Sequence, residues 1–168
     1  MKSIGPIAIA LIGCLIFLLF EGFIFNVFIG TNIYIKTIAK EISIIEGVNK
    51  LENVKISLPY TLYYSYKTTL KNMGYKNYGE IDNKESFLSN FSKTFSLYKN
   101  ELEKKTNVSI SNYEIEIEED ESVIKIVLHS PRYILYESHS KELKFRIYDI
   151  LNTTILISPT NNTLLGVY

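Results

Sequence analysis

The chain has 168 residues with 18 basic and 18 acidic side chains, so its formal net charge is zero. A chain without excess positive charge lacks the basic field that recruits nucleic acid, and we therefore expect no nucleic-acid partner. The only cysteine is Cys14, which excludes an intrachain disulfide and leaves the fold to be stabilised by its own apolar core.

Residues 4–29 form a 26-residue apolar run whose only charged side chain is Glu21. A helix needs roughly 20 mostly apolar residues to cross a hydrocarbon layer of about 30 Å, so this run is long enough to span a membrane. Its 17 Leu, Ile, Phe and Val residues favour insertion by about 5 to 10 kcal/mol, against at most about 3.5 kcal/mol for one acidic residue. The alternative, a cleavable signal peptide, has a shorter apolar region and a small-x-small cleavage site, which residues 19–23 do not offer. The sequence therefore predicts a retained single-pass anchor in the lipid bilayer.

The charges that flank the anchor predict its orientation. Lys2 precedes the run, whereas the first charges after it are Lys36 and Lys40. Because basic residues favour the cytoplasmic side, we expect the N-terminus in the cytoplasm and the C-terminal part outside the cell membrane. We expect three parts: a transmembrane anchor over residues 1–30, a helical stalk over residues 31–74, and an α+β extracytoplasmic domain over residues 75–168.

The pattern after the anchor is helical from residue 31 to residue 58. Ile35, Ile38, Ile42 and Ile45 recur at steps of three and four residues, which predicts an amphipathic helix with Gly47 as its one weak point.

Pro59 then either kinks this helix or begins another one. We expect the helical segment to end at Gly74, because glycine readily adopts the left-handed conformation that stops a helix.

A second helix is predicted shortly after Gly79. Residues 82–85, Asp-Asn-Lys-Glu, predict a capping box. The apolar stripe that we expect to face the core consists of Phe87, Phe91, Phe95, Tyr98 and Leu102.

After Thr106 the apolar period changes from helical to two, which is typical of strands. Strands are predicted over residues 113–117, 123–128, 132–137, 142–147, 152–157 and 164–168. Because the helices precede the strands, the sequence predicts an α+β fold: an N-terminal transmembrane helix continuing into long amphipathic helices, then a C-terminal antiparallel β-sheet.

Glu21 is the sharpest single feature of the chain. Ionisable residues at membrane depth usually face protein rather than lipid, so Glu21 is a candidate assembly contact that pairs with a lysine, amine or amide of a neighbouring subunit. The alternatives are a span that ends at Phe20, which places Glu21 at the membrane interface, or a protonated Glu21 that has no partner.

Four sequons fit an exported domain and mark candidate glycosylation sites at Asn90, Asn107, Asn152 and Asn161.

The acidic run at residues 118–121 suggests calcium, but calcium loops space their oxygen ligands at alternate positions and carry a glycine at the turn. We therefore interpret the run as a solvated hairpin tip, across which Glu116 and Lys125 are expected to pair.

His129 and His139 are the only histidines, and neither has further ligands or a nucleophile at a suitable spacing. We see no phosphate loop and no nucleophile–base pair either. The sequence thus predicts a protein without catalytic residues, metal or cofactor.

Thirteen tyrosines are present, and Tyr60, Tyr63, Tyr64 and Tyr66 fall within seven residues. Such a group can form a binding surface that stacks on sugars, or it can fill a core while each ring keeps one edge in water.

The N-terminal part resembles pilin-like surface proteins. Gly5-Pro6-Ile7 before the apolar run is similar to the N-termini of archaeal pilins, and Phe20-Glu21-Gly22 resembles the glutamate and glycine near the end of the TadE-like anchor. The resemblance covers residues 5–74 and implies an assembly or surface role. The residues before Gly5 lack the basic and small pair at which pilins are processed, so it implies no processing residue.

These observations favour a non-enzymatic, single-pass surface protein that acts as a structural or assembly subunit and contacts other membrane or surface proteins. The alternative is a membrane-tethered receptor or adhesin whose sheet or tyrosine-rich helix binds an external ligand.

Overall fold

A computed structural model describes residues 5–110, 112–120, 122–138 and 145–168. The helices are α1 (Gly5–Met73), a short 3-10 helix (Tyr78–Glu80) and α2 (Lys84–Thr106). The strands are β1 (Val108–Ile110), β2 (Glu114–Glu119), β3 (Ile124–Glu137), β4 (Arg146–Ile157) and β5 (Leu164–Val167). A long, apolar N-terminal helix followed by an antiparallel sheet confirms the predicted α+β class.

Helix α1 runs through Pro59 without a break, which settles the choice that the sequence left open. Proline removes one backbone hydrogen bond, but the buried neighbours Leu58 and Leu62 keep this stretch packed against the core. The helix stops as predicted at Gly74, whose φ of 81° is left-handed.

The chain divides into two compact units, residues 1–44 and residues 45–168. In the second unit α1 is a core helix, although the sequence placed residues up to 74 in a helical stalk. Its buried side chains recur at steps of three and four residues: Leu51, Val54, Leu58, Leu62, Tyr66 and Leu70. A helix with so many buried positions contributes to the domain core and does not merely support it.

Helix α2 begins one residue later than the capping-box pattern indicated. Asn83 is the N-cap, and its Oδ1 accepts a hydrogen bond from the backbone N–H of Ser86 at 2.8 Å. The helix ends at Thr106, and the next residue, Asn107, is its C-cap and takes the left-handed conformation with φ 59°.

The predicted stripe on α2 is confirmed for its first three members, since Phe87, Phe91 and Phe95 are fully buried. Tyr98 remains 42% exposed and Leu102 is only partly buried. The stripe is therefore fully buried as far as Phe95 and only partly covered beyond it.

The sheet is an antiparallel meander in which β3 pairs with β4 and β4 pairs with β5. On its other edge β3 pairs first with β2 and then with β1, so β1 and β2 act as one interrupted strand. From β3 onward each strand therefore pairs with the strand that follows it in the chain.

Two long strands replace four of the predicted short ones. Strand β3 covers the predicted strand 123–128 from Ile124 onward and all of 132–137. Strand β4 joins the predicted strands 142–147 and 152–157 from Arg146 onward, and residues 142–144 lie outside the described residues. The register between β3 and β4 shifts between Ser130 and Ile134. Pro131 lies at this shift, where a residue without an N–H is tolerated.

One face of the sheet packs against the helices. Ile124, Ile126 and Leu128 on β3 are fully buried, and Leu151 and Ile155 on β4 are buried beside them. These side chains and the buried residues of α1 and α2 form a single apolar core.

Candidate functional site

Glu21 lies on an exposed, apolar surface of α1 in the first unit. Leu18, Gly22, Ile24 and Phe25 surround it, and a Cβ added at Gly22 meets no atom within 4 Å. The helix surface beside the carboxylate is therefore open.

No described residue forms an ion pair with Glu21. The nearest lysine along the described helix, Lys36, is 15 positions away, which is roughly 22 Å at 1.5 Å per residue. The lysines of the described part of α1 are therefore too far along the helix to pair with the Glu21 carboxylate.

The isoleucine stripe predicted after the anchor is present on α1 and is exposed. Ile35 is 57% exposed, Ile38 is 36% exposed and Ile42 is 60% exposed. Neighbouring threonines satisfy their hydroxyls within the helix, as Thr31 Oγ1 donates to the carbonyl oxygen of Val27 at 2.7 Å. This surface therefore exposes apolar side chains that no other part of the described chain covers.

Within the second unit, an ion pair and a cation–π contact connect α1 to the sheet. Lys55 Nζ lies 2.7 Å from Asp149 Oδ2 on β4, and this hydrogen bond raises the pKa of Lys55 above its usual value. Lys50, whose pKa is raised by its hydrogen bond with Glu46, lies over the ring of Tyr136 at 5.3 Å.

The tyrosine group of α1 divides between core and surface. Tyr66 is fully buried, and burial is the main cause of its raised pKa. Its hydroxyl donates to Asn162 Oδ1 at 3.1 Å, while the Tyr63 hydroxyl donates to the Asn162 carbonyl oxygen at 2.9 Å. Asn162 Nδ2 in turn donates to the carbonyl oxygen of Lys76 at 2.6 Å.

Sequence reasoning missed the role of Asn162. It lies in the loop between β4 and β5 with a left-handed φ of 53°, so it bends the loop and fixes it on α1 at the same time. The turn-rich sequence around it predicted a loop, but not which side chains the loop contacts.

Tyr60 and Tyr64 remain on the surface, 49% and 61% exposed. Together with Tyr98 and Lys105 of α2 they line an open groove of about 390 Å³. Three tyrosine rings and charged side chains in one groove are suited to stacking on a ligand.

Two of the four sequon asparagines make contacts through their amide nitrogens. Asn90 Nδ2 on α2 lies 3.7 Å from Met73 Sδ and is partly buried. Asn107 Nδ2 at the end of α2 donates to the carbonyl oxygen of Glu137 at 3.3 Å.

The other two sequon asparagines are exposed and contact other groups through their amide oxygens. Asn152 Oδ1 on β4 contacts His129 Nδ1. Asn161 Oδ1, in the β4–β5 loop, accepts hydrogen bonds from the backbone N–H of Thr163 at 3.1 Å and from its hydroxyl at 2.7 Å.

The acidic run lies where β2 ends, and Glu121 lies outside the described residues. Lys125 Nζ pairs with Glu118 at 2.7 Å, so the expected pair with Glu116 is wrong: the hairpin register places Glu118 opposite Lys125. Glu119 pairs with Lys84 at the start of α2.

Among the described residues no three His, Cys, Asp or Glu side chains gather as metal ligands do. His129 is exposed on β3, and His139 lies outside the described residues.

Comparison of the chain with protein-family models, with curated proteins and with solved structures finds no match. The resemblance to pilin-like and TadE-like surface proteins stays a prediction from the N-terminal sequence.

Proposed function

We propose that this chain is a non-enzymatic, single-pass membrane-anchored surface protein that acts as a structural or assembly subunit. Its N-terminus lies in the cytoplasm, its α+β domain lies outside the cell membrane, and its partners are other membrane or surface proteins. The observation that supports this proposal best is the exposed, apolar N-terminal part of α1 with Glu21 on its surface.

The exposed apolar residues support the anchor. Within the described chain, α1 is the one helix long and apolar enough to cross a membrane, and none of its most apolar window is buried by the protein itself. A helix that is apolar around its circumference needs an apolar surrounding, which a bilayer supplies.

Glu21 supports assembly over simple anchoring. A carboxylate in hydrocarbon is costly, and a hydrogen bond or ion pair with a second helix recovers part of that cost.

The proposal predicts that Glu21→Leu inserts normally, because the span becomes more apolar, but loses its higher-order complex in the native membrane. Glu21→Gln keeps the shape and can still form hydrogen bonds, so it should retain more of that complex. Crosslinking in intact membranes followed by size analysis in mild detergent compares the variants. Glu41→Leu, at an exposed glutamate of the same helix beyond the apolar run, is the matched control. Full assembly of Glu21→Leu would contradict the proposed role of Glu21.

A tethered receptor or adhesin is the second candidate, favoured by the groove that Tyr60, Tyr64 and Tyr98 line. In that case Tyr64→Ala should abolish attachment of the cells to their surface or glycan target and leave the size of the membrane complex unchanged. The assembly function predicts the reverse pattern, with the complex dependent on Glu21 and indifferent to Tyr64.

A further inference from the structure

The exposed surface of α1 repeats every seven residues through the apolar run and beyond it. One set of positions is seven residues apart: Glu21, Phe28, Ile35 and Ile42. The second set follows each of the first three by three residues: Ile24, Thr31 and Ile38. All seven residues, which we call the seam, are exposed in the structure.

The seam forms one face of the helix. At about 100° per residue, its seven members fall within an arc of roughly 100°. An ideal helix drifts by about 20° per heptad against a strict seven-residue repeat, and a left-handed supercoil of several helices removes this drift. Glu21 is thereby brought onto the same line as Ile35 and Ile42.

The lysines that follow the apolar run keep to the other sides of the helix. Lys36 and Lys40 follow Ile35 by one and five positions, which places both on the outer positions of the heptad. Ile45 would be the next position in the same pattern, and the two that follow, Asn49 and Glu52, are polar. The run of mostly apolar seam positions therefore ends shortly after the anchor, as expected for a short coiled coil.

We propose that the partner bound by this surface is a second copy of the same chain, and that α1 forms a parallel coiled coil of three or four copies along the seam. The inference rests on the proposed membrane anchoring and assembly, and it names the partner. A single-pass anchor gives every copy the same orientation, so identical seams meet in register. Isoleucine at both seam positions of a heptad, as at Ile35, Ile38 and Ile42, favours three or four strands over two.

Parallel packing explains why Glu21 can lie on this face. In register, the Glu21 carboxyl groups of neighbouring copies meet inside the bundle, where a protonated carboxyl of one copy donates a hydrogen bond to a carboxylate oxygen of the next. Lys36 and Lys40 of neighbouring copies stay apart, because they lie on outer positions. Self-association thus pairs the one polar seam residue of the apolar run and separates the like charges.

Site-directed disulfide crosslinking of the full-length chain in its membrane tests the face that is buried. In a Cys14→Ser background, Ile35→Cys and Ile42→Cys should each give a covalent dimer on oxidation. The matched controls are Ile33→Cys and Ile44→Cys, which occupy exposed positions on the opposite side of the same helix. We expect roughly tenfold more dimer from the seam positions, because a disulfide requires Cβ atoms about 3.5–4.5 Å apart.

A second measurement determines the number of copies. Light scattering of the purified full-length chain in mild detergent should give three or four copies, and Ile38→Asp should reduce this to one while Ile33→Asp does not. The melting curve of the α+β unit should be the same in both variants, which separates loss of association from loss of folding.

Equal crosslinking at Ile33 and Ile35 would overturn the inference, as would a dimer. A complex that contains one copy of this chain with a different protein would also overturn it, and would leave the proposed assembly function standing. Absence of any complex in the native membrane would overturn both.

Discussion

At Gly47 the backbone of α1 lies close against side chains of the sheet. A Cβ added at this position would lie 2.6 Å from Cδ1 of Tyr136 and 2.8 Å from Cδ1 of Ile147. The sequence marks Gly47 as a weak point of the helix, because glycine lowers helix stability by about 1 kcal/mol relative to alanine. The structure gives the reason for this cost, since only glycine lets the helix backbone touch the tyrosine ring.

We therefore expect Gly47→Ala to destabilise the domain even though alanine is the better helix former. Overpacking costs about 1 to 3 kcal/mol, which equals or exceeds the gain in helix propensity. The free energy of unfolding from urea titration measures the difference. Gly79→Ala, where the nearest atom to an added Cβ is Asn77 Oδ1 at 3.5 Å, is the control and should change little. A more stable Gly47→Ala would show that the ring of Tyr136 moves aside at no cost.

Among the elements, α2 is the one whose core-facing residues could be predicted best from the sequence. Phe87, Phe91 and Phe95 recur every four residues, and such a stripe has one stable solution, burial against another apolar layer. The strands could be predicted less well. Ser130 and Pro131 interrupt the alternating apolar pattern, so the sequence predicted two short strands where the structure has the single strand β3. Pairing with β4 carries β3 through that interruption.

The burial of α2 predicts a large effect of Phe91→Ala. Truncating a fully buried phenylalanine costs about 3 to 5 kcal/mol, a large share of a small domain's stability. For the fragment of residues 31–168 we expect the melting temperature to fall by roughly 10 to 20 °C, measured by circular dichroism. Leu97→Ala, at a position of α2 that is 69% exposed, should melt close to the parent. Equal melting of the Phe91→Ala fragment and its parent would contradict the assigned core face.

At the scale of the whole molecule, the proposed topology places the N-terminus inside the cell and the α+β domain outside. In a Cys14→Ser background, an impermeant thiol reagent added to intact cells should label Thr160→Cys and leave Lys2→Cys unlabelled. Thr160 suits this test because it is exposed in the β4–β5 loop. Lysed cells, in which both cysteines should react, provide the control. Labelling of Lys2→Cys alone in intact cells would reverse the proposed orientation.

The sequence by itself determined the features that depend on neighbours along the chain. The apolar run around Glu21, the helix stop at Gly74 and the stripe of α2 each follow from a few consecutive residues and their period. The α+β class follows as well, because the change of period after Thr106 separates helices from strands.

Only the tertiary structure decided which of several side chains of the same type are buried and which hydrogen bonds they form. Tyr66 is buried while Tyr60 and Tyr64 are exposed. The hydrogen bond of the Tyr66 hydroxyl is accepted by Asn162, 96 positions away in the sequence. Local patterns contain no information on that separation. The packing of helix on sheet determines it, because a buried hydroxyl must find an acceptor wherever the fold places one.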